Sequence, residues 1–250
     1  MIINLKSDSH IHTSLCGHAF GTMEEFVRAG IAAGLTEMFF LEHLEIGINY
    51  FEKTWLSEED FDEYFREGRR LREKFADRIR IGLGVEVGYN PDEKQAILNV
   101  LAARNFDRVA VSYHFMKAGD RHLNLVSRKH DNIEGLGRLG VAKVLTAYFE
   151  TLQEAIGTVP AEMVCHLDAA MRYHPEIKLE ASHHRQIEKI LDLMAKKGVA
   201  LEVNFSGCRM RGVVFPEPEI IRKAVKKGIT LLAGSDAHVP EHVGQFIGFP

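Results

Sequence analysis

Thiols are scarce in this chain. Cys16, Cys165 and Cys208 are the only cysteines in 250 residues, an odd number with no CxxC spacing. Neither a disulfide framework nor a thiolate zinc site follows from them, and a reducing, cytoplasmic setting is expected. Long apolar runs are missing too. No stretch reaches the roughly 18 residues needed to cross a bilayer, and residues 1–6 carry no signal-peptide pattern, so no membrane partner is expected. Nor is there an excess of one charge. The net charge is −4 at pH 7 with both signs mixed along the chain. That argues against nucleic acid as an electrostatically gripped partner, and none is expected. Linkers, repeats and low-complexity tracts are also absent. What the chain does have is a hydrophobic content of 46%, enough for a full core, and 13 histidines.

The pattern reads as strand then helix, repeated. Short apolar runs at 2–5, 38–41, 79–87, 109–111, 163–165, 200–204 and 230–233 read as buried strands. Thr22 with Glu25 three residues on is a capping box that opens a helix to about 34. Ser57 caps a long charged helix to about 75, and Pro91 suits the first turn of the next. Further helices are expected over about 141–156, over 182–197 with Gly198 as the stop, and from Pro218 to about 228. A polar loop is expected after the fourth strand. Strands alternating with helices imply a parallel sheet. Seven such units suggest one α/β domain spanning 1–250, a (β/α) barrel, with an open doubly wound sheet as the alternative.

Polar residues fall at the strand ends. His10 and His12 follow the first strand, His43 the second, Glu86 ends the third, and His114 follows the fourth. His166 follows the fifth, Asn204 ends the sixth, and Asp236 and His238 follow the seventh. In a parallel barrel all strand C-termini open on one face, where active sites sit. Residues i and i+2 of a strand share a face, so each His-x-His or Asp-x-His pair can address one metal. His10, His12, Glu86 and Asp236 make a mixed N/O site suited to Zn, Mn or Fe. His18 with His43 and His238 can complete a second site, and His114 and His166 with Glu86 a third. Three divalent ions against two carboxylates leave the centre cationic, which favours an anionic guest such as a phosphate monoester. Arg172 and Arg209 lie on loops at the same face and suit bidentate phosphate binding, with Arg211 a weaker candidate. His122, His130, His174, His183, His184 and His242 read as surface residues. Arg69, Arg70 and Arg72 read as the solvated face of the long charged helix.

These residues, in this order, resemble the PHP (polymerase and histidinol phosphatase) metal-dependent phosphoesterases. Asp8-x-His10-x-His12, Cys16-Gly-His18, Leu41-Glu42-His43, Gly84-Val-Glu86, Ser112-Tyr-His114, Cys165-His166-Leu-Asp168 and Gly234-Ser-Asp236-Ala-His238 carry the likeness. Glu42 stands where that family often has Asp, and Tyr113 where Val is commoner. Glu86-Val-Gly-Tyr-Asn-Pro91 and Glu202-Val-Asn-Phe-Ser-Gly-Cys-Arg209 are similar to the histidinol phosphatase branch. The resemblance implies a distorted (β/α)7 barrel and two or three divalent ions held by His10, His12, His18, His43, Glu86, His114, His166, Asp236 and His238. It implies phosphate contacts from Arg172 and Arg209. The expected reaction is hydrolysis of L-histidinol phosphate, with Glu86, Asp236 and His238 as catalytic residues. Asp8, Glu42 and Asp168 are expected to orient histidines. The rivals are a phosphoesterase for nucleotides or sugar phosphates and a metal-binding module without turnover.

Overall fold

The computed structural model describes residues 3–246. Seven parallel strands run around a barrel in the order β1 (Ser7–Ile11), β2 (Glu37–Glu45), β3 (Arg80–Gly88), β4 (Val109–Ser112), β7 (Met163–Val164), β8 (Ala200–Asn204) and β9 (Leu231–Gly234). The ring closes where the first strand meets the chain beyond the last. Ile11 bridges Ala237 in parallel, Asp236 N donates to His10 O at 2.8 Å, and His12 N donates to Ala237 O at 3.0 Å. The (β/α)7 expectation therefore holds and the open-sheet alternative does not.

Helices cover the outside of the ring. They are α1 (Met23–Ala32), α2 (Glu58–Lys74), α3 (Lys94–Ala103), α5 (Val141–Thr158), α6 (Ala181–Lys197) and α8 (Pro218–Lys226). The capping box at Thr22 and Glu25 forms, and Ser57 forms another with Asp60. Gly198 ends α6 at φ 71°, a left-handed position that glycine adopts without strain. Each helix buries one stripe. In α1 the buried residues are Met23, Phe26, Val27 and Gly30, spaced three and four apart. In α2, Tyr64 is fully buried and its hydroxyl donates to Phe40 O and Gly84 O, so the ring gains apolar burial without an unpaired polar atom. Full burial of one large apolar side chain stabilises by roughly 1.5–3 kcal/mol, and the layer between helices and sheet holds dozens of them.

The barrel interior is narrow and filled in rows. Leu41, Ala110, Met163 and Cys165 pack as a separate buried cluster. Gly82 and Gly84 face Phe39 and Leu41 so closely that a methyl group at either glycine would overlap the neighbouring side chain. β2, β3, β4, β7 and β9 thus carry apolar or small residues inward at their lower ends.

Three sequence expectations need correction. The first strand is Ser7–Ile11, not 2–5; positions 1 and 2 lie outside the described residues. It is buried throughout although four of its five residues are polar, because its inward residues build the site. The loop after β4 holds an antiparallel hairpin, β5 (Phe115–Ala118) with β6 (Arg121–Asn124), followed by α4 (His130–Leu139). A short helix, α7 (Ser206–Arg211), follows β8.

Candidate metal centre

The nine expected ligand residues meet at the C-terminal mouth of the barrel. Strand periodicity puts His10, His43, Glu86 and Asn204 on the inward face, and the turns beyond the strands add the rest. Glu86 is central and fully buried. Its Oε2 lies 3.1 Å from His43 Nδ1, 3.4 Å from His10 Nε2 and 3.7 Å from His12 Nε2. Its Oε1 lies 2.9 Å from His166 Nε2 and 3.3 Å from His114 Nε2. Asp236 Oδ1 is 3.5 Å from both His12 Nε2 and His238 Nδ1, while Asn204 and Ser206 donate to its Oδ2. His238 Nε2 and His18 Nε2 are 2.8 Å apart.

Two of these residues sit on strained backbone. His166 has φ 24° and Asp236 φ 51°, a region that side-chain-bearing residues rarely adopt. Backbone hydrogen bonds hold both: His166 N donates to Glu202 Oε2 at 2.7 Å, and Asp236 N to His10 O. Strain of this kind persists where the surroundings over-determine it, as at ligand clamps.

The donor set fits divalent metal ions. Both oxygens of Glu86, and Nδ1 of His12, His43 and His166, are buried without a hydrogen-bond partner. Leaving such groups unpaired is costly unless a cation takes the lone pairs. Ligand atoms of His12, His43 and His238 lie within 4.8 Å of one another, as do those of His10, His12 and Asp236, and those of His43, Glu86 and His114. Titration divides the histidines: neighbouring carboxylates outweigh burial and hold His10 well above its ordinary value and His114 at about 10. Burial, helped by neighbouring imidazoles, holds His12 well below its ordinary value, His18 at about 3 and His238 at about 4, so their lone pairs are free at neutral pH. Burial alone would push Glu86 and Asp236 up, but the surrounding histidines outweigh it and keep both carboxylates ionised.

Two orienting carboxylates escaped sequence reasoning. Glu202 Oε1 is 2.7 Å from His10 Nδ1, and Glu45 Oε1 is 2.7 Å from His114 Nδ1. Such a contact fixes which ring nitrogen faces the ion. The period-two rule that groups His10 with His12 also puts Glu45 beside His43 and Glu202 beside Asn204, so a signal for both existed. Each glutamate nests against a glycine of the next strand. A methyl group at Gly88 would overlap Glu45, and one at Gly234 would overlap Glu202.

The residues expected to orient histidines do other work. Asp8 accepts from Ser235 N and Gly244 N, and Glu42 from Thr13 N, so both fasten loops. Asp168 accepts from Glu217 N and pairs with Arg211. Arg211 also donates to Val214 O and lies 3.8 Å over the Phe215 ring, away from the cavity, which removes it as a phosphate candidate. His122, His174 and His183 are buried, not surface residues. Each accepts a backbone N–H, from Asn49, Glu176 and Glu180 respectively, which explains a buried imidazole without a metal. His130 is exposed, His184 is half-buried, and His242 is half-buried at the rim of the cavity.

A cavity of about 600 Å³ opens above the cluster. His18, His43, Glu86, His114, His166, Asp236 and His238 form its floor, with Arg172 and Arg209 at the side. Arg209 donates to Ser235 O at 2.9 Å, while Nε and Nη1 of Arg172 are buried without a partner. Two guanidinium groups beside the histidine cluster suit a tetrahedral oxyanion.

Known proteins resemble this chain in sequence and in fold. A family profile described as "PHP domain" matches residues 8–206, and one described as "PHP-associated" matches 219–247. A Deinococcus radiodurans protein named "Probable histidinol-phosphatase" is 32% identical, across 95% of this chain and 88% of its own. The "Histidinol-phosphatase" of Bacillus subtilis is 24% identical across 96% of both chains. Among solved structures, HisK of Listeria monocytogenes superposes with a TM-score of 0.84 at 21% identity, over 96% of this chain and 98% of that one. Histidinol phosphate phosphatase of Lactococcus lactis, solved with Zn, L-histidinol and phosphate, gives 0.73 at 23% identity, over 94% and 86%. The first profile spans most of the barrel and the site's residues up to Asn204, and the Deinococcus relative extends the match along nearly the whole chain. The chain belongs to the PHP domain family.

Proposed function

We propose that this chain is a metal-dependent phosphomonoesterase, one domain over 1–250, that hydrolyses L-histidinol phosphate to L-histidinol and phosphate. The observation that carries the reading is Glu86, a buried carboxylate with neither oxygen hydrogen-bonded, ringed by five imidazoles beneath an arginine-flanked cavity. Relatives named histidinol-phosphatase along nearly the whole chain support the substrate.

His10, His12, His18, His43, Glu86, His114, His166, Asp236 and His238 would hold two or three divalent ions. Zinc, present in the Lactococcus structure, is the first choice and Mn or Fe the alternatives. Bound ions would lower the pKa of water near neutrality and stabilise charge on attacking and leaving oxygens. The chain's own groups do the rest. Glu86 turns one oxygen to His114 and His166 and the other to His10, His12 and His43, the disposition of a bridging ligand. Asp236 is held by Asn204 and Ser206 so that Oδ1 faces the cluster. His238, unprotonated at neutral pH, offers Nε2 to it. Arg172 and Arg209 grip the phosphate oxygens and stabilise the charge that grows on them. Glu45 and Glu202 keep the rings of His114 and His10 in register.

Metal analysis by mass spectrometry, followed by phosphate release across a panel of phosphomonoesters, tests the reading. Expected are at least two divalent ions per chain and the highest kcat/KM for histidinol phosphate. A much higher kcat/KM for a nucleotide or sugar phosphate would overturn the substrate.

A further inference from the structure

This inference rests on the phosphatase reading above and concerns the rest of the substrate. Histidinol phosphate is a dipolar molecule, with a phosphate dianion at one end, an imidazole at the other and an ammonium group on the carbon between them. The cluster and the two arginines account for the first end. We propose that Glu52 receives the ammonium group and is the residue that selects phosphate monoesters of amino alcohols.

Among the described residues, four carboxylates line the cavity: Glu45, Glu52, Glu86 and Asp236. Glu86 and Asp236 face the histidine cluster. Glu45 is tied to His114, and its side chain is 2% exposed. Glu52 stands apart from the histidines. Its side chain is 45% exposed, and its recorded partner is Lys129 Nζ at 2.5 Å, itself 44% exposed. A solvent-exposed pair of this kind contributes little net free energy, so a substrate ammonium can take the place of Lys129. Lys129 has a second seat, since its Nζ also lies 4.6 Å over the Phe51 ring.

The segment that carries Glu52 is fixed in place. Asn49 N donates to His122 Nδ1, and His122 N donates to Asn49 O at 2.8 Å, tying it to the β5–β6 hairpin. Asn132 Nδ2 of α4 donates to Tyr50 OH at 2.8 Å. Tyr50 packs against Phe115 with ring centroids 5.1 Å apart, and both rings line the cavity, where they offer faces to an imidazole. A carboxylate on a fixed wall of the same cavity as the two arginines can hold a dipolar ester in one orientation.

The test compares histidinol phosphate with imidazolylpropyl phosphate, the same ester without the amine, in metal-loaded Glu52→Gln and Lys129→Met. Glu52→Gln should raise KM for histidinol phosphate about tenfold and move the amine-free ester far less. Lys129→Met, which removes the competitor, should lower KM for histidinol phosphate. Calorimetric binding of L-histidinol to the zinc-loaded protein needs no turnover and should weaken by the same factor in Glu52→Gln. Equal effects on both esters, or none on either, overturn the role of Glu52 and leave the phosphatase reading standing. If neither ester is hydrolysed yet histidinol binding still depends on Glu52, the phosphatase reading falls and the ammonium site stands. Absence of both hydrolysis and histidinol binding removes both.

Discussion

The two ends of the barrel treat charge in opposite ways, and β2 shows the contrast within one strand. Its inward side chains run Phe39, Leu41, His43 and Glu45 from the lower end to the mouth. At the lower end charge is covered or paired. The Arg108 guanidinium lies 3.5 Å over the Phe39 ring, Arg80 pairs with Glu37 and Arg72 with Asp107. At the mouth a fully buried carboxylate has no hydrogen bond at all. Both ends are rich in ionisable groups, so abundance of charge does not mark the site. What marks it is a fully buried carboxylate with neither oxygen hydrogen-bonded among converging imidazoles, because the fold tolerates that cost only where a ligand relieves it.

The sharpest way to break this contrast is at Glu86. Glu86→Gln should strip metal and lower kcat/KM by more than the roughly 10–100-fold typical of a residue that only supports a ligand. The barrel should stay folded, since the apolar layer outside the sheet is untouched; metal content and circular dichroism check both parts. Arg209→Ala and Arg172→Ala should each lower kcat/KM on the order of 10²-fold, with metal content unchanged. Glu202→Gln should cost roughly 10–100-fold in metal affinity or activity, read by titration with a chelator. At the opposite end Arg108→Ala should leave kcat/KM alone and cost about 1 kcal/mol in denaturant unfolding. A large activity loss there would erase the distinction between the ends.

The smallest effect is expected on the helical surface. Hydrogen bonds from Lys74, Arg28 and Arg70 hold the Glu24 carboxyl at about 2 against an ordinary 4.5. Its contribution to stability is therefore fully present above about pH 4.5 and lost as pH falls toward 2. Glu24→Gln should lower Tm slightly at neutral pH and converge with the parent in acid.

The barrel and its floor were legible in the sequence because short apolar strands and the polar residues that follow them recur in step. Where this failed, the reasons are physical. Hydropathy places the first strand at the neighbouring apolar run because Ser7–Ile11 buries polar residues, His10 of the site among them. The β5–β6 hairpin has strands of four residues with polar side chains among them, too short for a period to register. Period two puts Glu202 on the inward face beside Asn204, but its partner His10 lies 192 positions away, and local spacing does not name it. Buried His122 and His183 read as surface residues because they accept backbone N–H groups, which leave no trace in side-chain spacing.

The barrel seam has a consequence for synthesis. His10 and His12 meet Asp236 and Ala237 there, and His18 meets His238 across 220 positions. A ribosome delivers His10, His12, His18, His43, Glu86 and His114 while the last strand is still unmade. Asp236 and His238 join them only when the last strand closes the ring, so the cluster is complete only once the two ends of the sheet have met.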